Sequence, residues 1–274
     1  MKKISVLGCG WLGLPLAKAL VGEGFSVKGS TTSTAKLLVL ENAKINPFLI
    51  VLESESVSGA IETFLETSKT LIIDIPPKLR GNGKDPSAAL RMEFVEKIKT
   101  LIPFIEKSSV ENVLFVSSTS VYNDLQGAVT EDTPLNPDTE GGRQLAIVET
   151  LLQNNKNFRT TIIRFGGLIG EDRNPVKFLS GRENIDYPDA PINLIHQEDC
   201  IGIILKIIAT DCWNETFNAV APFHPSREKY YTQKATDLNL ALPKFNHDEL
   251  SIGKTIWSKK VETVLGYTFI KANL

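Results

Sequence analysis

The chain has 274 residues, 42% hydrophobic and 23% charged, with 30 basic against 32 acidic residues and a formal net charge of −2. These are ordinary globular proportions for one large or two unequal domains, a domain running to roughly 100–200 residues. There is no basic excess for nucleic acid and no apolar run of the ~20 residues a bilayer span requires, so neither partner is expected.

Taken in chain order, the opening MKKISVLGCG has the lysines and apolar start of an export signal. Gly8, Gly10 and Gly13 cut the apolar stretch and no small-residue cleavage site follows, so Ile4–Leu7 reads as a first strand. Pro15–Gly22 reads as a helix, with Leu12, Leu16, Ala19 and Leu20 at helical spacing. Further strands are predicted at Phe25–Lys28, Phe48–Leu52, Thr70–Ile75, Asn112–Val116 and Thr160–Phe165, with helices at Ser87–Lys99 and Gln144–Leu152. Arg80–Pro86 reads as a loop at the rim of a cleft. Apolar strands without polar alternation, separated by helices, belong to a parallel sheet covered on both faces. The expected fold is therefore α/β, a doubly wound parallel Rossmann sheet with a smaller C-terminal domain. Beyond Gly166 the pattern loosens, with a short strand expected at Asn193–His196, a helix at Ile201–Ile208 and a strand at Thr216–Ala219. Residues 1–165, with a strand contribution near 193–220, are expected to form the first domain; 166–192 and 223–274 form the smaller one. Cys9, Cys200 and Cys212 share no metal-ligand spacing, and reduced thiols in a cytoplasmic protein account for them. His196, His224 and His247 lack ligand spacing as well, so no metal is expected.

Gly8-Cys9-Gly10-Trp11-Leu12-Gly13 is a GxGxxG placed between the first strand and the first helix. Alone this pattern is weak; in that context it marks a dinucleotide site. Gly8 permits the tight turn, Gly10 lets the backbone approach a pyrophosphate, and Gly13 lets the helix pack close to the strand, with Trp11 and Leu12 completing the loop. The next strand ends in Lys28-Gly29-Ser30-Thr31-Thr32-Ser33. An NAD-preferring site places an Asp or Glu there, and none is present. Thr31, Thr32 and Lys36 offer hydroxyls and a cation to a 2′-phosphate instead, which tilts the expected cofactor slightly from NAD to NADP. The same residues also read locally as caps of the following helix.

With these motifs in place, the chain resembles the extended short-chain dehydrogenase/reductase superfamily, and within it an atypical branch of the NAD-dependent epimerase/dehydratase group. The resemblance rests on GCGWLG, on Val116-Ser117-Ser118-Thr119-Ser120-Val121-Tyr122, on Thr130-Glu131-Asp132-Thr133-Pro134, on Ile163-Arg164-Phe165-Gly166-Gly167-Leu168-Ile169-Gly170 and on Asn193-Leu194-Ile195-His196-Gln197-Glu198-Asp199. It implies cofactor contacts from Ser117 and from Pro76, where the backbone after the fourth strand passes the dinucleotide. It implies a substrate-polarising hydroxyl at Ser118. The group's chemistry uses a Tyr and a Lys four residues apart on one helix. Counting from Glu149 places them at Gly141 and Leu145, and no Lys stands between Tyr122 and Lys156. The ordinary pair is thus absent. Tyr122 is the nearest remaining phenol, with Arg143 as a source of positive charge; both also read as a packing and a surface residue. Arg164, Arg173 and Arg182 fall on the expected substrate side, where arginine suits a diphosphate, though scattered arginines are equally ordinary. The expected function is an NAD(P)-binding, epimerase/dehydratase-like oxidoreductase acting on a small molecule, a nucleotide-sugar or a related carbonyl or hydroxyl compound. The alternative is a catalytically silent, redox-sensing NAD(P)-binding protein.

Overall fold

The computed structural model describes residues 2–77 and 92–274. Among the described residues thirteen strands run in chain order: β1 Lys3–Leu7, β2 Ser26–Thr31, β3 Asn46–Leu49, β4 Val51–Leu52, β5 Val57–Ser58, β6 Thr70–Ile73, β7 Asn112–Ser118, β8 Ala128–Val129, β9 Arg159–Phe165, β10 Gly167–Ile169, β11 Leu194–His196, β12 Thr216–Ala219 and β13 Thr255–Ile256. The α-helices among the described residues are α1 Gly13–Gly22, α2 Leu37–Asn42, α3 Ile61–Leu65, α4 Glu93–Glu106, α5 Glu140–Asn154, α6 Val176–Leu179, α7 Gln197–Ala209, α8 Arg227–Asp237 and α9 Lys259–Thr263.

Seven strands form one parallel sheet in the order β12-β9-β7-β6-β1-β2-β3. β1 lies inside it, Ile4 pairing with Val27 of β2 on one side and Thr70 of β6 on the other. Successive side chains of a strand face opposite sides of a sheet, so a strand covered on both faces carries apolar residues at consecutive positions. Ile72, Leu114 and Ile163 pack on one face with Leu16 and Leu20 of α1 and Ile203, Ile204 and Ile207 of α7. Their neighbours Leu71, Ile73, Val113, Phe115 and Ile162 pack on the other with Ile98 and Leu101 of α4 and Val148 and Leu152 of α5. Truncating one of these fully buried side chains to Ala costs ~2–5 kcal/mol. A smaller cluster of Val176, Ile192, Tyr230 and Ala235 joins α6 and α8 away from the sheet.

Several boundaries differ from expectation. The strand expected at Phe48–Leu52 breaks at buried Ile50. Asn46–Leu49 stays in the main sheet, while Val51–Leu52 turns out to pair antiparallel with Val57–Ser58. The helix expected at Ser87–Lys99 is described from Glu93 and runs on to Glu106; its first residues, and the Arg80–Pro86 loop, lie outside the described residues. The helix expected at Gln144–Leu152 begins at Glu140, because the Thr139 hydroxyl accepts from Gly142 N–H at 3.1 Å and starts it a turn earlier. Of the two strands expected after Gly166, Thr216–Ala219 joins the main sheet on β9, whereas Leu194–His196 pairs with β10 in a separate two-stranded sheet.

Candidate functional site

The chain leaves β1 at Leu7 and turns through the glycines into α1. Gly8 has φ +103°, and a Cβ there would stand 2.3 Å from the Asp74 carbonyl oxygen. At Gly13 it would stand 2.2 Å from the Gly8 carbonyl oxygen. The protein's own backbone therefore excludes side chains at both positions. At Gly10 nothing lies within 4 Å of the missing Cβ. Space kept bare at a helix N-terminus, where N–H groups and the helix dipole favour negative charge, fits a pyrophosphate. The loop is braced from β2: Ser30 Oγ accepts from Gly8 N–H at 2.9 Å and Ser30 O from Cys9 N–H at 2.8 Å. Gly29 leaves room for the Cys9 thiol, which a Cβ would approach to 2.8 Å. Burial pushes that thiol up to about 12, and Asp74 adds to the effect, so it stays protonated. Leu12 is buried in the core, while Trp11 is partly exposed.

Asp74 follows β6 and opens Asp74-Ile75-Pro76-Pro77, a segment that reads from the sequence both as a strand-ending turn and as backbone passing the cofactor. Its carboxylate accepts from Gly13 N–H, and burial nonetheless pushes it up to about 8. A carboxyl that holds its proton at neutral pH sits beside an anion site without repelling the anion.

At the end of β2, Thr31 is buried and its hydroxyl accepts from Ser33 N–H at 3.1 Å. Thr32 and Lys36 are exposed, Lys36 closing a short 3-10 turn, Thr34–Lys36. Pro76 is exposed beyond β6, and Pro77 lies 3.8 Å from where a Gly141 Cβ would be.

The residues expected at the chemical end sit on β7 and in the loop after it, and a buried network claims most of them. Ser117 Oγ donates to Glu149 Oε1 at 2.5 Å, which turns that hydroxyl toward α5. Arg164 on β9 makes a bidentate pair with Glu149, Nη2 to Oε2 at 2.7 Å and Nε to Oε1 at 3.2 Å. Arg164 Nη1 donates to the Tyr122 hydroxyl, which also lies 2.9 Å from Asn218 Oδ1 and 3.1 Å from the Thr130 carbonyl. Tyr122 is 0% exposed. Burial pushes its phenol above the ordinary value, with Arg164 opposing. A substrate therefore meets no free face of this hydroxyl. Ser118 is partly exposed; its hydroxyl accepts from Ser120 N–H at 3.2 Å and caps the 3-10 turn Thr119–Val121. Leu145 is buried in the core. Gly142 packs so closely that a Cβ would stand 2.1 Å from the Ser120 carbonyl oxygen.

The other arginines separate in the same way. Arg164 is bound inside the protein, Arg143 is exposed and paired with Glu140 at 2.9 Å, and Arg182 is exposed. Arg173 stacks over the Trp11 ring, 5.0 Å from its centroid. Lys254 reaches the loop after β7 from the C-terminal segment, donating to the Tyr122 carbonyl at 2.5 Å and pairing with Asp124 at 2.9 Å. No local pattern singles it out: its partners are more than a hundred residues away. The Asn193–Asp199 motif ties the C-terminal segment down. Asn193 accepts from Ile256 N–H and donates to the Lys254 carbonyl, while buried Asp199 accepts from Ile270 N–H, Lys271 N–H and the Tyr267 hydroxyl. His196 caps α7 through Nδ1, accepting from Glu198 N–H. Among the described residues no group of three or more His, Cys, Asp or Glu is placed to hold a metal ion, and no helix is long and apolar enough to cross a membrane.

No family model matches the chain. Protein YeeZ of Escherichia coli (strain K12) is 32% identical to it over 272 residues, 98% of this chain and 96% of that one. Among solved structures, a functionally unknown conserved protein from Silicibacter pomeroyi superposes with a TM-score of 0.79 at 22% identity, over 100% of this chain and 95% of that one. The UDP-glucuronic acid 4-epimerase from Bacillus cereus, in complex with NAD, superposes with a TM-score of 0.79 at 18% identity, over 97% of this chain and 91% of that one. The near full-length match in sequence and the seven-stranded sheet agree: this chain belongs to the family of protein YeeZ, on the fold of the NAD-dependent epimerase/dehydratase group of the short-chain dehydrogenase/reductase superfamily.

Proposed function

We propose that this protein binds NAD(P) across the C-terminal edge of its sheet and takes a nucleotide-sugar, or a related carbonyl or hydroxyl compound, beside it. The observation that carries the reading is the glycine loop, where two glycines are required by backbone contact and Gly10 faces open space. Trp11 and Leu12 would present their N–H groups to the pyrophosphate. Thr31, Thr32 and Lys36 would receive the adenosine ribose, and Pro76 would lie along the dinucleotide. The cation and hydroxyls, with no acid beside them, favour NADP slightly over NAD. The bound nicotinamide would supply hydride chemistry; Ser118 is the hydroxyl left to polarise a substrate oxygen. Residues 1–165 would carry the cofactor, 166–192 and 223–274 the substrate, in a protein of the cytoplasm. The B. cereus epimerase supports this reading by fold and by its bound NAD.

A second reading, a silent dinucleotide-binding sensor, is favoured by one observation: the hydroxyl of Tyr122 is closed inside the Arg164–Asn218 network. Calorimetric titration with NADH and NADPH tests the binding. Gly10→Val should abolish it, since a β-branched side chain fills the space the phosphates need. Unchanged affinity in that variant would sink the assignment. A wild-type preference for NADH of about tenfold, ~1.4 kcal/mol, would reverse the lean to NADP. Oxidation of NADPH by a panel of carbonyl and nucleotide-sugar compounds separates the two readings, and no turnover beside tight binding selects the sensor.

A further inference from the structure

We infer that Arg173 is a diphosphate-binding residue, held by Trp11 next to the glycine loop. The inference rests on the dinucleotide reading above. Trp11 belongs to the loop itself, between Gly10 and Gly13, and its side chain is anchored outside it. Its indole N–H donates to Asp172 Oδ1 at 2.8 Å, and its carbonyl accepts from Gln197 Nε2 at 2.8 Å. Gly170 packs close against the ring, where a Cβ would stand 2.8 Å from Cζ2. Gly170 and Arg173 close a tight turn through reciprocal N–H to carbonyl bonds of 3.1 Å. That turn sets the Arg173 guanidinium over the indole face.

The guanidinium is partly buried, and among the described residues no acid or carbonyl pairs with it. Its neighbour Asp172 is engaged by the indole, and Glu171 forms no ion pair with it. Stacking on a ring face is worth ~0.5–2 kcal/mol and leaves the five N–H donors of the fork unused. A planar fork held on the side chain of a glycine-loop residue matches two phosphate oxygens at once, which an ammonium does not. The ring holds the side chain in place before any ligand arrives, which lowers the ordering cost of binding. The diphosphate has two possible sources, the dinucleotide cofactor or a nucleoside-diphosphate substrate. Arg173 is the arginine, of those the sequence marked on this side, that the fold sets on a side chain of the glycine loop.

The test is calorimetry at low salt with NADH and with UDP, on wild type, Arg173→Gln and Arg173→Lys, with thermal melts to confirm folding. Gln keeps the length and removes charge and fork; Lys keeps the charge alone. Loss of a charge-assisted contact predicts weakening by about tenfold or more in Arg173→Gln, with partial recovery in Arg173→Lys. Weaker NADH with UDP unchanged assigns the cofactor pyrophosphate; weaker UDP with NADH unchanged assigns the substrate. If wild type binds NADH and both variants match it for both ligands, the inference fails while the dinucleotide reading stands. If wild type binds neither ligand, the dinucleotide reading fails and takes the inference with it.

Discussion

Tyr122→Phe separates a structural phenol from a catalytic one. The variant keeps the ring and deletes one oxygen. That oxygen accepts from Arg164 Nη1 and lies 2.9 Å from Asn218 Oδ1, in a site from which water is excluded. Its loss leaves one guanidinium N–H and one amide oxygen without their partner. A buried polar group left unsatisfied costs ~1–3 kcal/mol, and more when it is charged. The Thr130 carbonyl loses its contact too, but the hydroxyl has a single proton to give, so it adds little. The expected destabilisation is ~2–4 kcal/mol, read as a lower urea midpoint with unchanged slope. Cofactor affinity should not change, since no atom of Tyr122 lies on the glycine loop. If Tyr122 were the general acid, the result would invert: turnover would drop by ~10²–10⁴ with stability nearly intact. An unchanged midpoint in Tyr122→Phe, whatever happens to turnover, would refute the closed network.

Three further outcomes follow from single distances or charges. Asp74 is pushed up to about 8 by burial. Between the ordinary carboxyl value near ~3.9 and about 8 the unfolded chain is ionised while the folded chain keeps its proton. Its stabilising contribution is therefore full at acid pH and declines as pH rises through that window, by up to ~1.4 kcal/mol per unit. Asp74→Asn should flatten this slope relative to wild type in urea melts at pH 5, 6.5 and 8, and parallel curves would contradict the assignment. Gly142→Ala should destabilise despite the better helix propensity of Ala, because its Cβ would meet the Ser120 carbonyl at 2.1 Å. Gly141→Ala, with only Pro77 at 3.8 Å, should instead gain up to ~1 kcal/mol, so equal thermal shifts in the two variants would show that α5 is not seated on that turn.

The parts legible in the sequence are those with a local cause. Strands buried on two faces carry consecutive apolar residues, so β1, β6, β7 and β9 stand out by their apolar runs, and the strand expected at Thr216–Ala219 has those bounds in the structure. The glycine loop was legible because tight turns and close backbone approach exclude a Cβ whatever the rest of the chain does. The break at Ile50 was not legible, since Phe48–Leu52 is one continuous run of strand-forming residues and nothing in it marks a change of sheet. At the site, Tyr122 reads from the sequence as the nearest remaining phenol once the Tyr-Lys pair is missing; Asn218, its hydrogen-bond partner, is 96 residues away. Asp74 looked like part of a strand-ending turn, and its link to Gly13 exists only once β6 lies beside β1.

By itself, then, the sequence determined the doubly wound sheet, the place of the glycine loop and the absence of a Tyr or Lys at Gly141 and Leu145. Each follows from side-chain size, polarity or identity over a few neighbouring residues. Tertiary structure alone decided which polar groups remain free. It enclosed Tyr122 and Arg164, took Ser117 toward Glu149, brought Lys254 to the loop after β7 and set Arg173 on Trp11. A hydrogen bond or ion pair consumes a donor whatever its distance along the chain, so availability for chemistry is a property of the packed fold.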